Sequence, residues 1–431
     1  MFELLSWQPH SLAVSTGQAE AGIGVGMMTQ EFDAASALSA RASAADEGAI
    51  IRMSQRTREL RNAGRDVVAL TLGEPDFDTP QNIRDAAKLA LDKGLTHYAP
   101  VAGIPELRDA ISRKLKRENA LDYPASNIVV ANGAKQAINN VILSVIGPGD
   151  EAIMLAPYWV SYEASVKLAG GTPVVLPSTF AEGYKVPTSR IAAAITSQTK
   201  LLILNSPSNP TGAVWSKAEL KAIADLVRRH PTMLVMADEI YEYILFEGEL
   251  ISFGTLPGML QRTITLNGFS KGFAMTGWRL GYAAAPEPVA KGMARMQSII
   301  SAGANSFVQH AAVAALDGPR DDVHKMCETY RQRRDLVISK LTEIKGLRIG
   351  DIPGTFYAFP DISAFLGRKS GQHVIKSAAD LCDYLLDVHG VSTVPGSAFG
   401  CATAIRLSFA TSEAELEKAL SRISTGLAEL K

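Results

Sequence analysis

Short apolar runs of strand length recur along the middle of the chain and alternate with amphipathic stretches of helix length. They lie at 128–131, 151–155, 173–176, 201–204, 234–237 and 263–266. Each run is continuously apolar rather than alternating, as strands that are covered on both faces require. The pattern therefore predicts an α/β domain built on a doubly wound, mostly parallel sheet.

The pattern changes after about residue 320, and a chain of 431 residues is long enough for two domains. A long charged helix through 330–336, strand-like pieces at 355–359 and 404–408 and a last helix at 412–430 are typical of a smaller α+β domain. A helix at 50–63 and a strand at 67–70 are expected to pack with it. We therefore divide the chain into an extension at 1–44, an N-terminal part of the small domain at 45–79, a large domain at 80–325 and the rest of the small domain at 326–431.

Charge and composition exclude several classes of protein. Lys and Arg number 43 against 44 Asp and Glu, so no field of one sign is available to attract nucleic acid or an anionic membrane. No apolar run approaches the roughly 20 residues that a membrane-spanning helix needs. The three cysteines, Cys327, Cys382 and Cys401, are far apart. This spacing argues against a zinc site or a disulfide framework and favours the reducing cytoplasm.

Residues 1–44 are rich in Ala, Ser and Gly, and no Lys or Arg precedes Arg41. A secretory signal would begin with a basic region, so this segment does not resemble one. We interpret it as a poorly ordered extension.

Polar residues follow the predicted strands at the edge of the sheet where doubly wound folds bind ligands. Asp238 ends the run at 234–237, either as a helix N-cap or as the partner of a cation. Lys271 comes soon after 263–266 in a loop rich in small residues. If it is buried there, its pKa is lowered and it can form a Schiff base; otherwise it is an exposed loop lysine.

Two further features favour an anion such as phosphate. Arg279 follows Lys271 by eight residues, and Gly133-Ala134-Lys135 opens a predicted helix directly after a strand. Neither a Walker loop nor a G-x-G-x-x-G fingerprint after a strand is present, so nucleotide binding has no support in the sequence.

Taken together, these motifs resemble those of a known family. Asn209-Pro-Thr-Gly, Asp238-x-x-Tyr241, Ser270-Lys271 and Arg279, in this order and spacing, resemble the class I aminotransferases, which are pyridoxal 5′-phosphate (PLP) enzymes of fold type I. The segments 73–77, 98–108 and 157–159 are most similar to the bacterial short-form aspartate aminotransferase branch. The resemblance covers about residue 50 to the end, and implies the fold type I transferase architecture and a homodimer.

The resemblance also implies roles around the cofactor ring. Lys271 would bind PLP covalently and later move the substrate proton, while Asp238 would pair with the protonated ring nitrogen. Tyr241 and Asn209 would hydrogen-bond the ring oxygen O3′. Trp159 would stack on the ring face, and both Trp159 and Asn209 would border the substrate.

Phosphate and substrate contacts follow from the same resemblance. Arg279 and the backbone of Gly133, Ala134 and Lys135 would hold the phosphate. Tyr98 would reach the phosphate of the neighbouring subunit. Gly268 stands where many relatives have a serine, so that contact is either missing or supplied by Ser270. Arg406 would clamp the substrate α-carboxylate, with help from the backbone of Gly73.

The resemblance leaves the amino donor open. Lys135 would read a distal carboxylate, which makes aspartate the first choice of donor, with an acceptor such as 2-oxoglutarate. The stretch 46–50 lacks the hydroxyl groups expected for that task, and 297–301 is more apolar than expected, which favours aromatic or branched amino acids. A PLP lyase on the same scaffold is an alternative reaction, and a PLP-sensing regulator would need a DNA-binding segment that 1–44 is too short to supply.

Overall fold

The computed structural model describes residues 34–43 and 48–431. Residues 34–43 form a unit by themselves, with a 3-10 helix at Ala34–Ala37 and one helical turn, α1, at Ala40–Ser43, all of it exposed. The rest of the predicted extension lies outside the described residues, as do Asp46 and Glu47. Its predicted disorder therefore stays a prediction.

The other helices belong to one compact body. They are α2 (Ala49–Asn62), α3 (Gln81–Asp92), α4 (Pro105–Asn119), α5 (Gly133–Val145), α6 (Ser161–Leu168), α7 (Thr188–Ala194), α8 (Lys217–Val227), α9 (Glu287–Ile300), α10 (Ser306–Asp317), α11 (Asp321–Thr342), α12 (Ala378–His389) and α13 (Glu413–Glu429). In the described ranges, none of them is both long and apolar enough to cross a membrane.

The strands of this body form four sheets within the part of the chain that the structure describes. They are β1 (Val68–Ala69), β2 (Ile128–Ala131), β3 (Glu151–Leu155), β4 (Thr172–Leu176), β5 (Thr199–Asn205), β6 (Leu234–Asp238), β7 (Thr263–Gly268), β8 (Gly281–Ala284), β9 (Tyr357–Ala358), β10 (Lys369–Ser370), β11 (His373–Val374), β12 (Val391–Ser392), β13 (Val394–Pro395) and β14 (Ile405–Ser408).

The largest sheet has seven strands in the order β2-β8-β7-β6-β5-β3-β4. All six apolar runs identified in the sequence are strands of this sheet, so the predicted doubly wound, mostly parallel architecture is confirmed. Strand β8 was missed: it lies antiparallel between β2 and β7. Its short run of Gly, Tyr and Ala directly after the lysine loop carries little strand signal in the sequence.

Burial on both faces explains why the runs are continuously apolar. In β5, Leu201 and Ile203 point into one hydrophobic core, which contains α5 residues such as Val141. Their neighbours Leu202 and Leu204 point into a second core on the opposite face. Successive side chains of a strand point to opposite faces, so a strand between two cores must be apolar at every position.

The N-terminal part of the body packs against its C-terminal part. Strand β1 pairs in parallel with β12, with Val68 opposite Val391, and Arg56 of α2 bonds to the carboxylates of Asp383 and Asp387 on α12. A three-stranded antiparallel sheet, β13-β14-β9, lies in the C-terminal part. The exact limits of the two domains at 79 and 325 stay predictions.

Candidate active site

A cavity of about 380 Å³ opens where β5, β6 and β7 end. Eleven of the thirteen residues predicted to form the site line it, and they come from widely separated parts of the chain: Gly73, Ala134, Lys135, Trp159, Asn209, Asp238, Tyr241, Ser270, Lys271, Arg279 and Arg406. The carboxyl ends of the parallel strands meet at this edge, which is where this type of sheet binds ligands.

Asp238 is the last residue of β6 and lies beneath the cavity, with 3% of its surface exposed. The hydroxyl of Tyr162 donates a hydrogen bond of 2.6 Å to one carboxylate oxygen, and the backbone N–H of Ile240 donates one of 3.2 Å to the other. Burial raises the pKa of Asp238 to about 6, although these hydrogen bonds lower it. A buried carboxylate of this kind is suited to hold a cationic group.

Lys271 follows β7 and turns its amine into the cavity. The amine donates a hydrogen bond to the carbonyl of Gly73 and lies 5.9 Å and 5.8 Å from the ring centres of Tyr241 and Phe356. Burial, and then the positive charge of Arg406, lower the pKa of Lys271 to about 8. An amine with this pKa is a nucleophile and a base within reach of neutral pH.

The N-terminus of α5 and Arg279 form a cradle for an anion. Gly133 opens the helix with a φ of 80°, and a Cβ atom built there would lie 2.5 Å from Nη2 of Arg279. Arg279 donates a hydrogen bond of 3.1 Å to the carbonyl of Thr276, and Lys135 lies in the first turn of α5. Burial and the charge of Arg279 lower the pKa of Lys135. A guanidinium beside a helix N-terminus suits a phosphate.

Arg406 projects from β14 into the cavity and has 2% of its surface exposed. It donates hydrogen bonds of 2.6 Å to the carbonyl of Thr71 and 3.1 Å to Oδ1 of Asn209. Its guanidinium stacks over the rings of Tyr357 and Phe399, at 4.5 Å and 4.9 Å. Among the described residues its Nε has no partner, so this buried fork can still bind a carboxylate.

Two tyrosines of the site were missed by the sequence analysis. Tyr162 bonds to Asp238, and the hydroxyl of Tyr357 lies 2.9 Å from that of Tyr241. Tyr162 follows Trp159 by three residues, but nothing in the sequence joins it to Asp238, 76 positions away. Tyr357 lies in a recognisable strand, and only the pairing of β9 with β14 places it beside the cavity. Asn205, whose side chain donates to the carbonyl of Asp238, was also missed.

Two predicted site residues, Gly133 and Tyr98, do not line the cavity. Gly133 borders the anion cradle through its contact with Arg279, whereas Tyr98 lies away from the cavity of its own chain. Tyr98 is 96% exposed and lies in a surface depression with the segment 301–307. Ile299 and Ile300 are also exposed, while Gln297 is buried and bonds to the carbonyls of two neighbouring segments. The branched aliphatic residues that do line the cavity are Ile50, Leu72, Ile138 and Ile240.

Comparison with known proteins adds independent observations. Residues 65–423 match the family described as aminotransferase class I and II. The aspartate/prephenate aminotransferase of Cereibacter sphaeroides is 44% identical over 385 residues, which are 88% of this chain and 96% of the relative. The aspartate aminotransferase of Rhizobium meliloti is 42% identical over 379 residues, covering 87% and 92%.

Solved structures agree with these relatives. The crystal structure of an aspartate aminotransferase from Rhizobium meliloti superposes with a TM-score of 0.89 at 40% identity, over 91% of this chain and 99% of that one. The aspartate aminotransferase of Thermus thermophilus with maleate gives a TM-score of 0.85 at 42% identity, over 90% and 99%.

Proposed function

The chain belongs to the class I and II aminotransferases, which are PLP-dependent, and from that premise we propose that it transfers the amino group of aspartate to a 2-oxo acid such as 2-oxoglutarate. The resemblance seen in the sequence is thereby confirmed at the level of family, cofactor and reaction type. The roles of individual residues and the choice of substrate are part of the proposal.

The residues of the cavity fit PLP. Lys271 offers an amine of lowered pKa, Asp238 offers a buried carboxylate for a ring nitrogen, and Arg279 with the start of α5 offers a cradle for the phosphate. A Cβ at Gly133 would fill that cradle, which is the behaviour expected of a site shaped for a ligand. The indole of Trp159 borders the same space and can cover the ring.

In the reaction, bound PLP supplies an electron sink for the charge that develops at the substrate Cα. Asp238 would keep the ring nitrogen protonated, and Tyr162 holds the Asp238 carboxylate in place. Tyr241 and Asn209 would hydrogen-bond the ring oxygen. Lys271 would hold the cofactor, and its amine is the base that would take the proton from the substrate Cα.

The substrate proposal rests on two cations on the cavity wall. Arg406 is buried with an unused Nε and is the natural partner of the α-carboxylate, with Gly73 at its side. Lys135, at the start of α5, is a second cation that can bind a distal carboxylate. A dicarboxylic amino acid satisfies both. The names of the relatives, and the maleate in the Thermus thermophilus structure, support the same chemistry.

A second acceptor, prephenate, is favoured by the mixed character of the wall. Ile50, Leu72 and Ile138 lie on the same cavity as Lys135, so a ring with a distal carboxylate would find both apolar and cationic contacts. Several relatives carry prephenate in their names, among them the one from Cereibacter sphaeroides. The same apolar contacts keep an aromatic or branched amino acid as the alternative donor.

A homodimer with shared sites is the assembly that we propose. Tyr98 is exposed on its own chain, and Ile299 and Ile300 are exposed large apolar side chains, which is unfavourable on a free surface. A second subunit would cover these residues and bring Tyr98 to the partner's phosphate. We also propose a cytoplasmic location, because Cys327, Cys382 and Cys401 are all free thiols.

Absorbance of the purified holoprotein tests the substrate. Single amino acids are added without an oxo acid, and the absorbance band of bound PLP is followed. Aspartate and glutamate are expected to abolish this absorbance band, and addition of 2-oxoglutarate is expected to restore it. The variant Lys135→Met should lose its response to dicarboxylic amino acids and keep that to apolar ones, whereas Lys167→Met, on the exposed face of α6, should behave as the wild type.

Other outcomes have clear meanings. If only aromatic or branched amino acids remove the band, aspartate is the wrong donor and the apolar wall selects the substrate. If the band persists or returns without any oxo acid while the amino acid is consumed, the protein is a lyase.

A further inference from the structure

The loop between β7 and β8 carries both Lys271 and Arg279, and its backbone is strained. Ala274 and Arg279 have φ values of 51° and 54°, in the left-handed region that residues other than glycine rarely adopt. Such conformations persist only where the surroundings impose them, and they concentrate at functional sites. Something must therefore hold this loop in the shape that aims Arg279 at the anion cradle.

Thr79 makes the contacts that hold it. This residue lies just before α3, has 7% of its surface exposed and does not line the cavity. Its hydroxyl donates a hydrogen bond of 2.6 Å to the carbonyl of Ala274 and accepts one of 2.9 Å from Nε1 of Trp278. One partner is a strained residue itself, and the other directly precedes the second strained residue, Arg279.

A second contact reaches the same loop but is weaker. The hydroxyl of Thr276 donates a hydrogen bond of 3.1 Å to the carboxylate of Glu74, in an exposed position. Water competes with exposed hydrogen bonds, so the buried hydroxyl of Thr79 contributes more to the shape of the loop. A hydroxyl that both donates and accepts there cannot be replaced by a methyl group without leaving Trp278 Nε1 unpaired.

We propose that Thr79 is a positioning residue that holds the loop from Ala274 to Arg279 and thereby aims Arg279 at the phosphate of PLP. The inference rests on the proposed role of Arg279. The bond to Trp278 holds the residue directly before Arg279, and the bond to Ala274 holds the other end of the same segment. Loss of the Thr79 hydroxyl should therefore affect the phosphate end of the cofactor site.

Binding of cofactor to the apoprotein tests the proposal, with PLP compared with pyridoxal, which lacks the phosphate. Thr79→Val keeps the shape of the side chain and removes the hydroxyl; Thr79→Ser keeps the hydroxyl. The control is Thr263→Val, since Thr263 is fully buried and its hydroxyl donates a hydrogen bond of 2.8 Å to Met259 at the far end of β7. Melting temperatures of the apoproteins report any general loss of fold.

Thr79→Val is expected to bind PLP about tenfold more weakly, as the loss of one buried hydrogen-bonding hydroxyl predicts, and pyridoxal within about twofold of the wild type. Thr79→Ser and Thr263→Val should bind PLP within about threefold of the wild type. The proposal is overturned if Thr79→Val binds PLP normally, if Thr79→Ser is as weak as Thr79→Val, or if PLP and pyridoxal weaken equally. A wild-type protein that binds no PLP would instead refute the proposed function.

Discussion

The carboxylate of Asp238 lies where a charge is least stable, at the buried end of β6. Its pKa is raised from 3.8 to about 6 because burial outweighs the hydrogen bonds from Tyr162 and Ile240. The protein therefore keeps, at neutral pH, an ionised group that weakens its own fold until a cationic partner arrives. Functional sites often contain groups that lower the stability of the folded protein but are needed for its activity.

Replacing this group should stabilise the apoprotein. A pKa raised by roughly 2 units corresponds to about 3 kcal/mol, so Asp238→Asn should increase the free energy of unfolding by up to that amount at pH 8. The folded pKa is above the unfolded one, so the cost of the ionised carboxylate is full above pH about 6 and disappears toward pH 4. Denaturant titrations at several pH values measure it, and aminotransferase activity should be lost.

The control for this prediction is Asp122→Asn, which changes an exposed carboxylate that pairs with Lys116 on the surface. Its effect on stability should be small at every pH. If Asp238→Asn destabilises the apoprotein at pH 8, the ionised carboxylate stabilises the folded protein, and the interpretation of its burial is wrong.

At the scale of elements, the start of α5 would determine how the phosphate of PLP is held. Its first residue, Gly133, has a φ of 80° and faces Arg279. Gly281 of β8 lies so close to the helix that a Cβ added to Gly281 would be 2.4 Å from the backbone nitrogen of Ala134. The helix N-terminus, the strand and the arginine thus meet at two glycines. Their lack of side chains is a requirement of the cradle.

Gly133→Ala should weaken PLP binding by about tenfold, because the new methyl group displaces the guanidinium of Arg279 from the cradle. Gly149→Ala is the matched control: Gly149 has a similar φ of 88°, but a Cβ there meets no atom within 4 Å. Both variants should lose roughly 1 kcal/mol of stability from backbone strain, and only Gly133→Ala should lose cofactor affinity. Equal affinities in a spectroscopic titration would contradict the prediction.

At the scale of the whole molecule, the cavity of one chain is not reached by every residue that the family resemblance assigns to the site. The exposed Tyr98 lies outside the cavity of its own chain, in a surface depression with the segment 301–307, and Ile299 and Ile300 are exposed as well. A closed two-fold dimer would bury these residues and complete two equivalent sites at once, since a two-fold contact is reciprocal.

Mixed dimers test this arrangement. Tyr98→Ala and Lys271→Ala should each be weakly active or inactive alone. When the two are unfolded and refolded together, about half of the dimers are mixed, and each mixed dimer has one intact site, so about a quarter of the wild-type activity should return. No recovery, with dimers present by light scattering, would show that Tyr98 does not act across the interface.

Local pattern sufficed for part of this protein. The six apolar runs, the polar residues at their ends and the motifs around Lys271 are properties of neighbouring residues, and they led to the sheet, the family and eleven of the cavity's lining residues. A strand buried on both faces must be apolar throughout, and functional groups must follow the strand where the edge of the sheet binds a ligand. Both requirements produce patterns that can be recognised in the sequence.

Only the tertiary structure could supply the rest. The bond from Tyr162 to Asp238 joins residues 76 positions apart, the contact of Tyr357 with Tyr241 spans 116, and the clasp of Thr79 on Trp278 spans 199. The shifted pKa values of Asp238 and Lys271 likewise depend on what surrounds them after folding. Sequence spacing records which residues are neighbours along the chain, whereas these contacts depend on how strands pair and loops cross, which packing of the whole chain decides.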